Sequence, residues 1–275
     1  NGNTLTLQCK QLNKIVGSET FNGSLFLLPK DCRLTEFTLE GISNIQGDFQ
    51  CIDYFYVKEF VMPFIRVAGD MTIALNSGSV NTAAEIEFPK LQEIGGTLTL
   101  GTNRNANNIT FPLLKKILGS CSVTTYKLKN DIEFTNLESI GTDGADAQIK
   151  FEIEATNILC PKLKTINGKF DIATSSFMFD MEVDKVSYPN VESISENLSI
   201  TCPYFDFGSN GILSIDFSGL KSAKGISISG QGDVTDFSSF KYLFENNVLT
   251  GESQWSVKEL SLIHISEPTR RVVIS

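Results

Sequence analysis

The sequence predicts an all-β, single-domain solenoid built from coils of about 23–29 residues, on three observations. One phrase recurs along the chain, its copies start at a near-constant interval, and each copy closes on a short apolar/polar alternation. A repeat period fixes architecture before any local reading does, because each unit is one supersecondary element that needs its neighbours to bury its apolar edge.

The phrase is aromatic-Pro-x-Leu-x-x-Ile-x-Gly-x-Leu-x-Ile. Its clearest copy runs Phe88-Pro89-Lys90-Leu91-Gln92-Glu93-Ile94-Gly95-Gly96-Thr97-Leu98-Thr99-Leu100. Others open at Met62-Pro63, Phe111-Pro112, Phe134-Thr135, Cys160-Pro161, Tyr188-Pro189 and, worn, Phe217-Ser218. With starts at 62, 88, 111, 134, 160, 188 and 217, the step stays within the period of leucine-rich solenoids. Fainter copies lie around Ile42-Ser43-Asn44-Ile45 and Leu12-Asn13-Lys14-Ile15.

Each position in the phrase has a physical task. The aromatic residue, Leu and Ile point to one side and stack on their counterparts in adjacent coils. Proline fixes φ after the aromatic residue and blocks a helix there. Glycine permits the turn into the strand. The closing Leu-x-Ile is a half-buried strand of period two. Coils of unequal length place their surplus in loops, expected at 101–108, 142–147 and 175–184. The shortest steps carry no helix signal and favour compact coils, whether an open arc or a closed three-sided helix. The expected organisation is an N-terminal cap and first degenerate coil at 1–40, and a repeat solenoid at 41–260. A tail at 261–275 reads as foreign.

Composition supports a sheet-and-turn protein. There are 20 Phe against one Trp and one His, with Gly, Asn, Ser and Thr throughout. A net charge of −9 argues against a nucleic-acid partner, because phosphate contacts need clustered Lys and Arg. No apolar run reaches the roughly 20 residues of a membrane span. Six cysteines (Cys9, Cys32, Cys51, Cys121, Cys160, Cys202) form no CxxC pair, and one His cannot complete a Cys/His zinc site. Three N-glycosylation sequons start at Asn22, Asn108 and Asn197. Together with an even cysteine count and the acidic balance, they predict an exported protein, extracellular and glycosylated.

The recurrent phrases, Phe88-Pro89-Lys90-Leu91-Gln92-Glu93-Ile94-Gly95-Gly96 above all, resemble the receptor L-domain family over residues 12–230. These are the leucine-rich-repeat-like β-helices of insulin- and EGF-receptor ectodomains. The pattern looks closest to the fungal-type GPI-anchored cell-wall proteins of the sporulation and extracellular-matrix group. The resemblance implies a leucine-rich-repeat-like right-handed β-helix of receptor L-domain type, at the cell surface or cell wall. It implies a non-enzymatic, structural or organising role. The alternatives are the ligand-binding ectodomain of a membrane receptor and a carbohydrate-active β-helix enzyme. The chain departs from the family in lacking a cysteine-rich module and a C-terminal GPI signal.

The stretch Ser261-Leu262-Ile263-His264-Ile265-Ser266-Glu267-Pro268-Thr269-Arg270 leaves the repeat and holds the one histidine. It reads as translated adaptor sequence and stays outside the functional reading; the other reading is a terminal strand that caps the solenoid.

No catalytic residue is assigned. Nucleophilic triads need a histidine base, and the body has none. Glu93, Glu138 and Glu192 fall at equivalent or near-equivalent repeat positions and are expected to form a solvated outer row. Asp143-Gly144-Ala145-Asp146 lacks the loop length and closing Glu of a calcium site. Neither a metal nor a cofactor is expected. Cys121, Cys160 and Cys202 read as core substituents, Cys51 has no assigned place, and a Cys9–Cys32 disulfide is expected near the N-terminal cap. The candidate binding face is the outward side of the strands: Thr97, Thr99, Ser122, Thr124, Lys169, Asp171, Ser199 and Ser227, with Asn197 and Ser229 beside them. Such a hydroxyl-rich sheet suits an unidentified protein or glycan ligand, although it lacks Trp, Tyr and Arg anchors. Contact with a membrane would come only through an anchor not in view.

Overall fold

Each copy of the phrase from Met62 to Tyr188 folds as one coil carrying three short strands, and the coils stack so that equivalent strands pair. The computed structural model describes residues 3–7, 14–28, 37–52, 59–75, 84–102, 106–124, 131–144, 146–153, 157–174, 185–202, 214–230, 238–246, 248–251, 254–256 and 273–274. Every strand pairing among them is parallel, as expected when one coil follows another in the same direction. The result is a three-faced β-solenoid.

The long sheet has twelve strands, running from Asn3–Leu7 through Leu98–Thr102, Cys121–Thr124 and Gly168–Thr174 to Gln254–Ser256 and Val273–Ile274. A second sheet of seven strands runs from Lys14–Val16 to Ile158–Leu159, and a third of eight from Thr20–Phe21 to Ser193–Ile194. Strands within 1–40 already belong to these sheets, and Cys9 and Cys32 lie outside the described residues. Of the tail, only Val273–Ile274 is described, paired with Gln254 and Trp255.

The register realises the repeat residue by residue. Ile86 pairs with Ile109, Ile109 with Ile132 and Ile132 with Ile158, each partner one coil further along the chain. One coil, 84–102, sends six side chains inward (Ile86, Phe88, Leu91, Ile94, Leu98 and Leu100), all at most 1% exposed. Neighbouring coils supply equivalents, so the core is a set of columns rather than a central cluster. Phe88, Phe111 and Phe134 stack at centroid distances of 5.0 and 4.9 Å, with ring planes 1° and 9° apart. That spacing is close to the roughly 4.8 Å between strands, so the backbone sets the ring separation. Phe217 and Phe240 continue the aromatic stacking at 5.9 Å.

Glycine is required at one corner. Gly47, Gly69, Gly96 and Gly119 donate in turn to the carbonyls of Gly23, Gly47, Gly69 and Gly96 at 2.8–3.0 Å. A Cβ on Gly119 would lie 2.7 Å from the Gly96 carbonyl carbon, inside any tolerable contact. The same column later holds Glu196 and Lys224, which form an ion pair at 2.8 Å.

Four details differ from the sequence reading. In the coil that opens at Met62, Phe64 rather than Ile65 fills the leucine column, because this coil is one residue shorter before the third-sheet strand. The loop expected at 101–108 is largely strand, with Leu98–Thr102 and Ala106–Thr110 leaving only 103–105 outside the described residues. The segment 142–147 does turn, at exposed Thr142, Asp143 and Gly144, but Ala147 is buried and opens a seven-residue strand. A short helix, Lys241–Glu245, packs Leu243 into the core beside Phe240, where the sequence pattern implies only sheet.

The second sheet breaks once. It ends at Ile158–Leu159, and the next coil's strand, Lys185–Ser187, pairs only onward with Ser214–Asp216. The residues between, 175–184, lie outside the described set.

Replacing Phe111 by Ala should cost about 3–5 kcal/mol, because it removes a ring held between two others. Leu113→Ala, two residues on and 42% exposed, should stay within about 0.5 kcal/mol. Chemical denaturation measures both, and equal losses would contradict the stacked core.

Candidate binding face

The outward side chains of the long sheet fall into three columns, each set by strand register. The first is Ser24, Asp48, Asp70, Thr97, Ser120, Gln148, Lys169 and Asn197. The second, two residues along each strand, is Thr6, Phe26, Gln50, Thr72, Thr99, Ser122, Lys150, Asp171, Ser199 and Ser227. The third includes Gly101, Thr124, Glu152, Ala173, Thr201 and Ser229. All eight residues assigned to the face therefore share it, with Thr97 and Lys169 in the first column and Thr124 in the third.

This face is largely paired with itself. In the first column, a short side chain accepts a hydrogen bond from the backbone N–H one coil on. Ser24 Oγ accepts from Asp48 (2.9 Å), Asp48 Oδ1 from Asp70 (2.9 Å), Asp70 Oδ1 from Thr97 (2.7 Å) and Ser120 Oγ from Gln148 (3.0 Å). Lys169 pairs with Asp171 at 2.9 Å, and Lys150 with Glu152 in the neighbouring strand at 2.5 Å. Thr124 Oγ1 donates to Glu152 Oε2 at 2.8 Å. The Lys150 hydrogen bond, assisted by Thr124, holds the Glu152 carboxyl below the usual carboxylate range against partial burial. Thr99 and Asn197 are exposed; the other residues assigned to the face are half-buried.

Sequence reasoning missed Ser24, Asp48, Asp70 and Ser120, although a short polar residue directly before the strand's first buried residue was their signal. It also missed Lys150 and Glu152, because the strand Ala147–Ile153 follows an insertion that masked the repeat.

Glu138 and Glu192 are equivalent, since Lys164 N–H donates to the Glu138 carbonyl and Glu192 N–H to that of Lys164. The column reads Gln92, Lys115, Glu138, Lys164, Glu192, Lys221, an alternation of sign rather than a row of acids. Glu192 meets Lys221 at 2.7 Å, which lowers the carboxyl pKa and raises that of the ammonium. Glu93 sits one residue further along its coil, paired with Arg66 at 2.8 Å. A one-coil slip would bring like charges together, so the alternation disfavours misregister.

Of the sequon residues, Asn22 is exposed at a corner and Asn197 is exposed on the sheet face. The side chain of Asn108 lies outside the described residues. Asp143 and Asp146 are exposed, and among the described residues no three His, Cys, Asp or Glu side chains gather as a metal site. Cys121 pairs with Leu98 in the long sheet, Cys160 fills the aromatic slot, and Cys51 occupies the inward column with Leu27 and Ile73. All three are free, buried thiols. The side chain of Cys202 lies outside the described residues, as does the expected Cys9–Cys32 pair.

At the break in the second sheet lies a half-open cleft of about 460 Å³, lined by both broken strand edges. Glu133 and Lys185 stand at its rim, and Leu159, Pro161 and Pro189 form its apolar part.

Comparison of the chain with protein-family models, with curated proteins and with solved structures finds no match in any of the three.

Burial pushes the thiols of Cys51, Cys121 and Cys160 well above the ordinary value of 9.0. A raised folded-state pKa means that the stability they contribute is present below pH 9 and declines as pH rises beyond it. There the unfolded chain loses thiol protons that the folded chain keeps. Each thiol should add a slope that approaches about −1.4 kcal/mol per pH unit roughly one unit beyond that ordinary value. Guanidinium unfolding between pH 8 and pH 10 should show this slope shrinking in a Cys51→Ala, Cys121→Ala, Cys160→Ala variant. An unchanged slope would contradict the burial of these groups.

Proposed function

We propose that this chain is a non-enzymatic extracellular glycoprotein of receptor L-domain type that organises a cell surface or cell wall. The observation that carries the reading is the long sheet, twelve parallel strands wide, whose outward columns hold short polar side chains and locally paired charges. Such a surface is wettable, and several of its side chains are held by partners in the same strand or one coil away. It suits repeated modest contacts along an extended partner, protein or glycan, more than one deep pocket.

Support also comes from the stack itself. Solenoids gain length by adding coils without redesigning a core, which suits spacers and scaffolds. The exposed sequon at Asn22 lies off the long sheet, at the corner before it, where a glycan leaves the sheet face open. At Asn197 a glycan would stand on the face and confine docking to the earlier coils. A ligand-binding ectodomain of a receptor is the second reading, favoured by the cleft at the break in the second sheet.

Expression through a eukaryotic secretory pathway should yield protein whose gel mobility increases on treatment with an N-glycosidase. Asn22→Gln and Asn197→Gln should each remove one mobility step. A secreted chain with unshifted mobility would contradict the reading, as would retention in the cytosol of a correctly targeted chain.

A further inference from the structure

We propose that the break in the second face is a binding site for an extended peptide segment, which pairs its backbone with the strand edges exposed there. In the intact coils the N–H of the residue in the aromatic slot donates to a carbonyl one coil on. Met62 donates to Glu87 (2.9 Å), Phe88 to Thr110 (3.0 Å), Phe111 to Glu133 (3.2 Å) and Phe134 to Leu159 (2.9 Å). The series resumes with Tyr188 donating to Asp216 at 2.8 Å. Its missing member is Cys160 to Ser187. Among the described residues, no backbone hydrogen bond joins these two strands.

Both Cys160 and Ser187 line the cleft. By the register of the intact coils, the Cys160 N–H and the Ser187 carbonyl face this opening, and among the described residues neither has a backbone partner, a state in which such groups are seldom left. One carbonyl at the break is already provided for by a side chain, since the buried Tyr188 hydroxyl donates to the Ile158 oxygen at 3.1 Å. The coils stay in contact beside it, where Asn190 Nδ2 donates to the Pro161 carbonyl at 2.8 Å and Thr165 pairs with Ser193 in the third sheet. The opening is therefore closed at the Pro161 corner.

An exposed strand edge is matched most directly by another backbone. A peptide carbonyl meets the Cys160 N–H, and a peptide N–H meets the Ser187 carbonyl. Leu159, Pro161 and Pro189 offer the apolar seat for one aliphatic side chain, and Glu133 and Lys185 favour a segment with charges at both ends of that residue. Leu159 is 37% exposed, so it is available to such a contact.

The test uses the full chain labelled with ¹⁵N and pools of acetylated, amidated tetrapeptides with Val, Leu or Thr at the inner positions. Matched pools carry N-methyl groups on the inner amides, which keep the side chains but remove the donors. The unmethylated pools should shift the amides of Ile158, Cys160 and Ser187 saturably, with dissociation constants below about 5 mM. The methylated pools should not, and Leu159→Asp should weaken binding about tenfold. The proposal is overturned if no pool shifts these amides, or if methylated and unmethylated pools act alike. It is also overturned if they respond only to a saccharide such as triacetylchitotriose.

Discussion

A strand in this molecule finds its backbone partners one coil away, at the spacing of a parallel sheet, and that single requirement orders everything else. The shortest coils carry only brief strands, such as Glu93–Ile94 and Leu98–Thr102, and cannot close their own hydrogen bonds or bury their own edges. Stability then resides between coils, and every residue type that recurs at one position meets its like directly above and below. The aromatic column follows from this. Phe88, Phe111 and Phe134 stand nearly parallel because the same backbone position is repeated at one strand spacing. Edge-to-face packing, which rings otherwise favour, returns where the positions differ, as between Phe151 and Phe170 (88°).

The same constraint governs the polar residues. Charges stacked at strand spacing alternate in the Lys115, Glu138, Lys164, Glu192, Lys221 column, while the adjacent acids Asp48 and Asp70 each accept a backbone N–H from the next coil. Backbone groups at the corner before the long sheet are served by Ser24, Asp48, Asp70 and Ser120, side chains short enough to accept from the next coil. The glycine corner belongs to the same logic, because Gly119 approaches Gly96 too closely for any side chain. The break beside Cys160 is the exception. There the aromatic column loses its ring, the second sheet stops, and a tyrosine hydroxyl takes over one carbonyl's bond.

Much of this fold was legible because one physical unit is written many times. The period marks the coils, the alternation at Leu98-Thr99-Leu100 marks the long sheet, and the inward positions follow the phrase. Legibility failed where a coil changes length. One missing residue moved the buried position from Ile65 to Phe64, and the insertion after Gly141 concealed the strand that carries Lys150 and Glu152. The three-faced closure depends on how the corners pack, which no single position in the phrase announces. The outward face was legible as a set of residues, but not its pairing, because partners such as Thr124 and Glu152 lie on different coils and different strands. The cleft had no sequence signal beyond a cysteine in an aromatic position.

Pulsed dipolar EPR tests the stacking most directly. One spin label at Ser227 is paired in turn with labels at Thr99, Thr72 and Gln50, all in one outward column. At one strand spacing per coil, the separations should rise in even steps, about 24, 29 and 34 Å. Distances that do not climb by about 5 Å per coil would contradict a stack of parallel coils in this register.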